Sequence, residues 1–222
     1  DPSGSHFIDL TSLLTSRDNL REGEADLLTL SHAVSGMHYD ASADLDASNV
    51  SFLAQSLGSI VGTVFLAVDP SVKVGVINVP GGGIARLLDA SPAFGPLIHA
   101  GLAAAGVMQG TPEYDAYFVA TQTVIDSGDP INFPLNSPLL ASKSLLLQEV
   151  IGSGDIPGDQ VIPNSVPGAP LSGTEPLIAA LGLSDITGTT QNADGIRGVT
   201  RFLQGEHGSI LDPTDFPAAT LE

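Results

Sequence analysis

Runs of apolar residues with two different periods divide the chain into predicted helices and strands. Residues 16–36 place Leu20, Leu27 and Val34 at helical spacing, and Gly36 is a suitable stop. Short runs of β-branched and apolar residues are typical of strands that are covered on both faces. We therefore predict strands at residues 50–54, 72–79 and 144–151, a weaker strand at 198–203, and a helix at 57–68.

The order of these elements predicts an α/β fold with a mostly parallel sheet, because parallel neighbours need a crossover that is usually a helix. The segment between the second and third strands, residues 81–136, is too long for an ordinary connection. It contains helical patches separated by Pro and Gly. We expect residues 84–136 to form a helical cap, or lid, inserted into the domain.

Composition and charge narrow the function classes. The chain has 222 residues with 25 Asp and Glu against 7 Lys and Arg, so its formal net charge is −18. This balance opposes nucleic-acid binding and docking on an anionic membrane, since both need clustered basic residues. The absence of cysteine excludes disulfides and a Cys nucleophile. Residues 48–68 and 90–112 are uncharged and long enough to span a bilayer, but polar residues and prolines within them argue against that.

Ser56 lies in the turn between the strand at 50–54 and the helix at 57–68. A strand, a sharp turn with a serine and a helix form the context of a nucleophile elbow, in which the hydroxyl projects above the sheet. The backbone N–H of Leu57 at the helix N-terminus is then a candidate oxyanion donor. An ordinary buried helix start is the alternative interpretation of the same pattern.

Small residues flank this serine. Ala54 and Gly58 provide the tiny side chains that an elbow requires, and Gly62 is expected to let the helix and the strand approach closely. The G-x-x-x-G spacing of Gly58 and Gly62 therefore serves packing and not a pair of membrane helices.

A nucleophilic serine needs a base, and the base needs a carboxylate that orients it. In an α/β hydrolase the acid follows a later strand and the histidine lies near the end. Asp159 follows the strand at 144–151, and His207 lies in a glycine-flanked loop after the last strand. We predict Ser56 as nucleophile, Asp159 as orienting acid and His207 as base.

Other carboxylates and histidines stay open as members of this set. Asp155 lies just before Asp159 and is an alternative acid. Asp129 would be the acid in folds that place it after the preceding strand, although an Asx turn explains it better. Further histidines lack the loop context of His207 and are expected at the surface or in the core: His6, His32, His38 and His99.

Two further patterns point only weakly to ligands. Residues Gly81, Gly82 and Gly83 follow a strand, but no Lys or Ser/Thr stands at the P-loop spacing, so a close backbone approach explains them better. A solvated acidic loop likewise explains three carboxylates better than a calcium site does: Asp40, Asp44 and Asp46. We expect no metal and no cofactor.

Seven runs of the sequence together resemble bacterial extracellular and surface-exposed lipases of the α/β-hydrolase fold, a group with phospholipase-type members. The resemblance extends over nearly the whole chain, and the runs that carry it are DPSGSHFIDLTSLLTSRDNLRE, LAQSLGSIVGTVFLA, VINVPGGGIARLLDASPAFGP, DSGDPINF, GDQVIPN, PLSGTEPL and FLQGEHGSIL. The resemblance implies a carboxylic-ester hydrolase, secreted or at the bacterial cell surface, with Ser56, Asp159 and His207 as its triad.

The sequence departs from this family in two ways. Ala54 and Gln55 stand where the family usually has Gly and His, which is expected to alter the fit of the elbow more than its chemistry. Family members are also much longer, so the resemblance implies that this chain is the C-terminal portion of a catalytic domain. We expect a companion N-terminal polypeptide of the same precursor, and without it a bare sheet edge at residues 50–54.

The expected partner is an acyl-ester or lipid substrate, with phospholipid and synthetic polyester as candidates. The elbow and the cap supply candidate substrate contacts: Gln55, Phe94, Leu97, Ile98 and Met108. The apolar members of this set equally suit the cap's own core. The competing hypothesis is a catalytically silent, lipid-binding or partner-binding relative of the hydrolase fold.

Overall fold

The structure is a computed structural model that describes residues 7–9, 11–40 and 43–212. Its strands are β1 (His38–Asp40), β2 (Ala43–Asp44), β3 (Ser51–Gln55), β4 (Val74–Asn78), β5 (Ser144–Val150), β6 (Ser184–Asp185) and β7 (Arg197–Phe202). Its α-helices are α1 (Leu13–Ala33), α2 (Leu57–Val68), α3 (Ile84–Ala90), α4 (Gly95–Ala104), α5 (Pro112–Ile125), α6 (Pro138–Ala141) and α7 (Thr174–Leu181).

Five of these strands form an all-parallel sheet within the described ranges, in the order β3-β4-β5-β7-β6. β1 and β2 form a separate antiparallel pair. The carboxyl ends of β3, β5 and β7 therefore meet at one edge of the sheet, where the loops that follow them can approach each other. The predicted α/β fold, with a mostly parallel sheet and flanking helices, is confirmed.

The predicted elements agree closely with the observed ones. α2 has the predicted bounds, and the ends of β3, β4, β5 and β7 differ from the prediction by at most two residues. α1 begins at Leu13, earlier than predicted, and continues as a 3₁₀ turn through Gly36. β1, β2, β6 and α7 had no prediction. The three missed strands are only two or three residues long, too short for an alternating pattern to appear.

One face of the sheet carries a core. Ile77, Leu147 and Val199 lie in one register row and are almost completely buried. They pack in one apolar cluster with Phe65 of α2 and with residues of α7. Side chains alternate along a strand, so the adjacent rows point to the other face of the sheet.

β3 is an edge strand in the part of the chain that the structure describes. It pairs with β4 on one side, and Leu53 at its centre is 65% exposed. The bare edge expected at residues 50–54 is therefore present among the described residues. That a companion polypeptide covers this edge stays a prediction.

The segment predicted as a cap folds into α3, α4 and α5, followed by short turns. α5 contacts α1 and α3, and it buries Tyr114, Phe118 and Ile125. α4 contacts α3 and leaves Leu97 exposed. Among the described residues, no helix is long and apolar enough to cross a bilayer. The uncharged stretch at residues 48–68 instead folds as β3 and α2.

Candidate active site

Ser56 occupies a strained turn between β3 and α2. Its φ of 55° and ψ of −123° lie in a region that residues other than glycine rarely adopt. Its N–H donates to the carbonyl of Asn78 at 2.9 Å, and its own carbonyl accepts from the N–H groups of Ser59 at 2.8 Å and Ile60 at 3.1 Å. These bonds hold the turn in the geometry of a nucleophile elbow.

The close approach of α2 to β3 depends on Gly62 more than on Gly58. A Cβ atom at Gly62 would overlap the ring of Phe52, so the packing role predicted for this glycine is confirmed. A Cβ at Gly58 would lie 3.6 Å from the Cβ of Ala54, an ordinary contact. A single methyl group would thus fit at position 58, so this contact needs a small residue but not glycine itself.

The structure brings Ser56, His207 and Asp159 together from distant parts of the chain. The Oγ of Ser56 lies 2.6 Å from Nε2 of His207, and Nδ1 of His207 lies 2.7 Å from Oδ2 of Asp159. When Nδ1–H donates to the carboxylate, Nε2 is left to accept the proton of the serine hydroxyl. A serine, an imidazole and a carboxylate connected in this order can activate the serine as a nucleophile.

The loop after β5 fixes the carboxylate of Asp159. Its Oδ1 accepts from the backbone N–H groups of Val161 at 2.8 Å and Ile162 at 3.0 Å. Its N–H donates to the carbonyl of Val150, the last residue of β5, at 3.0 Å. The side chain is almost completely buried, and Oδ2 faces His207.

The two alternative acids lie elsewhere. Asp155 is exposed at the tip of the turn between Ser153 and Ile156. Asp129 is fully buried and accepts hydrogen bonds from the backbone N–H groups of Gly83, Ile84 and Ile131. The bond from Ile131 is the predicted Asx turn, and the bonds from Gly83 and Ile84 show that the same carboxylate also caps α3, which the sequence did not predict. Burial raises the pKa of this carboxyl against the effect of these hydrogen bonds.

The other histidines do not reach the site. His99 on α4 lies 2.9 Å from the Oδ1 of Asp89 on α3, so it joins two helices of the cap. His32 and His38 are exposed, and His6 lies outside the described residues.

The structure explains the glycine run and the acidic loop by packing and by local hydrogen bonds. A Cβ atom at Gly82 would overlap the Cβ of Ile131, and one at Gly83 would overlap the backbone of Leu171, so the close approach predicted there is confirmed. Asp46 accepts from the N–H and hydroxyl of Ser48, and the side chains of Asp40 and Asp44 lie outside the description. No group of three or more His, Cys, Asp or Glu within the described residues could hold a metal ion.

Leu57 is the first residue of α2, so its N–H has no acceptor within the helix. It follows Ser56 directly, and the positive end of the helix dipole strengthens the attraction of its N–H for negative charge. This placement suits an oxyanion that forms at a carbonyl attacked by Ser56. Its role as a donor stays a prediction.

An apolar cavity of about 310 Å³ opens at Ser56. Its walls come from α1, α2, α3, α4 and the loop after β5, and they include Leu20, Ile60, Leu87 and Ile162. Ser56 is the only lining residue with a polar side chain among those described. Sequence reasoning did not find Leu20 or Ile162, although Ile162 lies three positions after the predicted acid.

Three of the five predicted substrate contacts line this cavity: Phe94, Leu97 and Ile98. Met108 is half-exposed and is not part of the lining. Gln55 is not part of it either, because its Nε2 donates instead to the backbone carbonyl of His207 at 2.8 Å.

Comparison with known proteins gives similarity of structure without similarity of sequence. No protein-family model matches the chain, and no curated protein matches it. The chain is similar to a puromycin hydrolase, with 14% identity, a TM-score of 0.45, and coverage of 83% of this chain and 22% of the other. A puromycin-hydrolyzing peptidase of Mycobacterium tuberculosis has 13% identity and a TM-score of 0.49, and the match covers 84% of this chain and 22% of the other. The acylaminoacyl peptidase of Pyrococcus horikoshii has 12% identity and a TM-score of 0.48, and the match covers 93% of this chain and 25% of the other.

The chain thus spans a quarter or less of the length of these structures. The resemblance to extracellular lipases rests on the sequence runs alone, because no family model supports it.

Proposed function

We propose that this chain carries the catalytic centre of a serine hydrolase that cleaves carboxylic esters, an esterase or lipase. One observation carries the proposal: the Oγ of Ser56, on a strained elbow, lies 2.6 Å from Nε2 of His207 and opens onto an apolar cavity. The nucleophile, its base and a space for the substrate therefore coincide at one place.

The reaction follows from this arrangement. The Oγ of Ser56 attacks the ester carbonyl carbon while Nε2 of His207 takes the hydroxyl proton, and Asp159 stabilises the imidazolium that forms. The N–H of Leu57 stabilises the negative carbonyl oxygen. As the C–O bond to the alcohol breaks, His207 gives its proton to the leaving oxygen, and the acyl group stays on Ser56. A water molecule, deprotonated by His207, then releases the carboxylic acid.

The cavity favours an acyl ester over a peptide. Each methylene of an acyl chain gains about 0.8 kcal/mol when it is buried against apolar side chains. A peptide in the same space would leave its N–H and C=O groups without partners, at a cost of about 1 to 3 kcal/mol each. Phospholipids and polyesters stay candidate substrates within this class, and secretion or display at the cell surface belongs to the same proposal.

The companion N-terminal polypeptide also belongs to this proposal. Within the described part of the chain β3 has a neighbour on one side only, and a free strand edge offers its backbone groups to a further strand. Coexpression with the preceding region of the precursor should raise the melting temperature and protect the amides of β3 from hydrogen exchange. If the melting temperature and the hydrogen exchange of β3 are unchanged by the preceding region, the companion polypeptide is no part of the function.

A fluorophosphonate probe tests the central proposal, because it reacts fast only with an activated serine. We expect one label per chain, lost in Ser56→Ala and His207→Ala and retained in the exposed control Ser48→Ala. The chain should hydrolyse p-nitrophenyl esters and leave the matching p-nitroanilides intact. A folded chain that takes no label would favour the catalytically silent relative, and preferred cleavage of the anilides would replace the esterase by a peptidase.

A further inference from the structure

Gln55 links the two segments that carry the proposed nucleophile and base. It is the last residue of β3 and directly precedes Ser56. Its Nε2 donates a hydrogen bond of 2.8 Å to the backbone carbonyl oxygen of His207, a residue 152 positions away in the sequence. A single side chain therefore connects the elbow to the main chain of the base.

The loop that carries His207 is closed by bonds within itself. The N–H of Glu206 donates to the Oγ of Ser209 at 2.8 Å, and the N–H of Ser209 donates to the carbonyl of Glu206 at 3.2 Å. These bonds shape the loop, but both partners move with it. The bond from Gln55 differs because its donor belongs to the sheet.

The imidazole of His207 has to satisfy two partners at once. It lies 2.6 Å from Ser56 and 2.7 Å from Asp159, and a pivot of its backbone would lengthen one of these contacts. A misplacement of about 1 Å in a catalytic centre can cost about 100-fold in rate. Asp159 fixes the ring at Nδ1, and Gln55 fixes the main chain of the same residue at a second point.

We propose that Gln55 is a positioning residue, which holds the backbone of His207 so that the imidazole stays between Asp159 and Ser56. The proposal rests on the proposed hydrolase function. An amide suits this task because it does not titrate, so the bond persists while His207 gains and loses a proton during the reaction. It also gives a role to the residue that stands where the resembling lipases usually have histidine.

The sheet offers a matched control for this role. Gln55, Asn78 and Gln148 lie in one register row, so their side chains share one face of the sheet. Gln148 lies two strands from Gln55, and its Oε1 accepts from the Nδ2 of Asn78 at 3.1 Å. The change Gln148→Met therefore removes the same amide from the same row without touching the bond to His207.

The test compares kcat and KM of Gln55→Met, Gln55→Glu, Gln55→His and Gln148→Met on p-nitrophenyl butyrate. Loss of the donor in Gln55→Met and Gln55→Glu should lower kcat by about 10-fold to 100-fold with little change in KM, because substrate binding stays intact. Gln55→His, which offers another N–H donor, should recover most of kcat. Gln148→Met should keep the wild-type value. If Gln55→Met fails to fold, Gln55→Glu, with the same shape, gives the same comparison.

The NMR signal of the proton on Nδ1 of His207 provides a readout that needs no activity. We expect this signal in the wild type and its broadening or loss in Gln55→Met. If the wild type hydrolyses no ester, the proposed function is wrong. The NMR comparison would still decide whether Gln55 orders the imidazole. Unchanged kcat in Gln55→Met, an equal loss in Gln148→Met, or a lower kcat with an unchanged NMR signal would each overturn the positioning role.

Discussion

Asp159 faces His207 with one carboxylate oxygen and holds its own loop with the other. Oδ2 lies 2.7 Å from Nδ1 of the imidazole, while Oδ1 accepts two backbone N–H bonds from the residues that follow. The carboxylate cannot rotate without breaking bonds on both sides. The ring of His207 is thereby oriented from a buried and rigid anchor.

Replacing this anchor by an amide should nearly abolish activity. In Asp159→Asn the amide has two possible orientations. In one, its NH2 group faces Nδ1 of His207 and favours the wrong tautomer; in the other, its NH2 group faces the backbone N–H groups that bind Oδ1 in the wild type, so that donor meets donor. We expect kcat on p-nitrophenyl butyrate to fall by about 1,000-fold to 10,000-fold in protein that is folded by circular dichroism. The exposed neighbour Asp155 offers the matched change: Asp155→Asn should keep full activity, and a comparable loss there would make Asp155 the acid.

A charge in the apolar cavity should discriminate against long acyl chains. Leu97 lines the cavity and is 74% exposed, so Leu97→Asp should not disturb folding. A carboxylate there would have to be desolvated by an acyl chain that passes it. We expect kcat/KM for p-nitrophenyl octanoate to fall by about tenfold or more, with the acetate ester little affected.

Met108 supplies the control for the cavity. It is 53% exposed on the same cap but lies outside the lining, so Met108→Asp should leave the ratio of octanoate to acetate hydrolysis unchanged. Equal effects of the two substitutions would mean that the acyl chain does not occupy this cavity.

The buried carboxylate of Asp69 should make the fold sensitive to acid. Burial acts to raise its pKa, but hydrogen bonds from Ser31, Ser71 and Val72 outweigh that effect and lower the pKa to about 2. The folded pKa is below the ordinary value of 3.8, so the ionised group stabilises the fold above that pH. This contribution, about 2 kcal/mol, is expected to disappear as the pH falls from about 4 to about 2.

Urea unfolding of Asp69→Asn and wild type at pH 7 and pH 3 measures this contribution. The variant should be less stable than the wild type at pH 7, and the difference should shrink at pH 3. Asp46 makes the same type of turn, with bonds to the N–H and hydroxyl of Ser48, but it is exposed. Asp46→Asn should therefore change the free energy of unfolding little at either pH. If the stability difference between Asp69→Asn and wild type is larger at pH 3 than at pH 7, the role assigned to the charge of Asp69 is wrong.

Local pattern was enough to place the elements that carry the site. The helix α2 and the strands β4 and β5 show as apolar runs in the sequence because most of their residues are buried, and β3 shows as such a run although it lies at the edge of the sheet. The parallel order then brings the ends of β3, β5 and β7 to one edge, which is why Ser56, Asp159 and His207 could be named together.

Packing decided what the local pattern left open. Asp155 and Asp159 are both acidic residues of one loop, but Asp155 is exposed, whereas the N–H of Asp159 donates to the end of β5 and its buried carboxylate faces His207. The same holds for Asp129, whose partners at Gly83 and Ile84 lie 46 and 45 positions away in the sequence. No window of neighbouring residues contains these contacts.

The sequence by itself determined the parallel α/β sheet and the candidates at the ends of its strands, namely Ser56, His207 and the acids Asp155 and Asp159, because periodicity and turn chemistry are properties of adjacent residues. Only the tertiary structure decided which acid faces His207, that Leu20 and Ile162 close the cavity while Met108 stays outside it, and that Gln55 contacts His207 instead of the cavity. These are contacts between segments far apart in the chain, and their distances depend on how the helices and loops pack on the sheet.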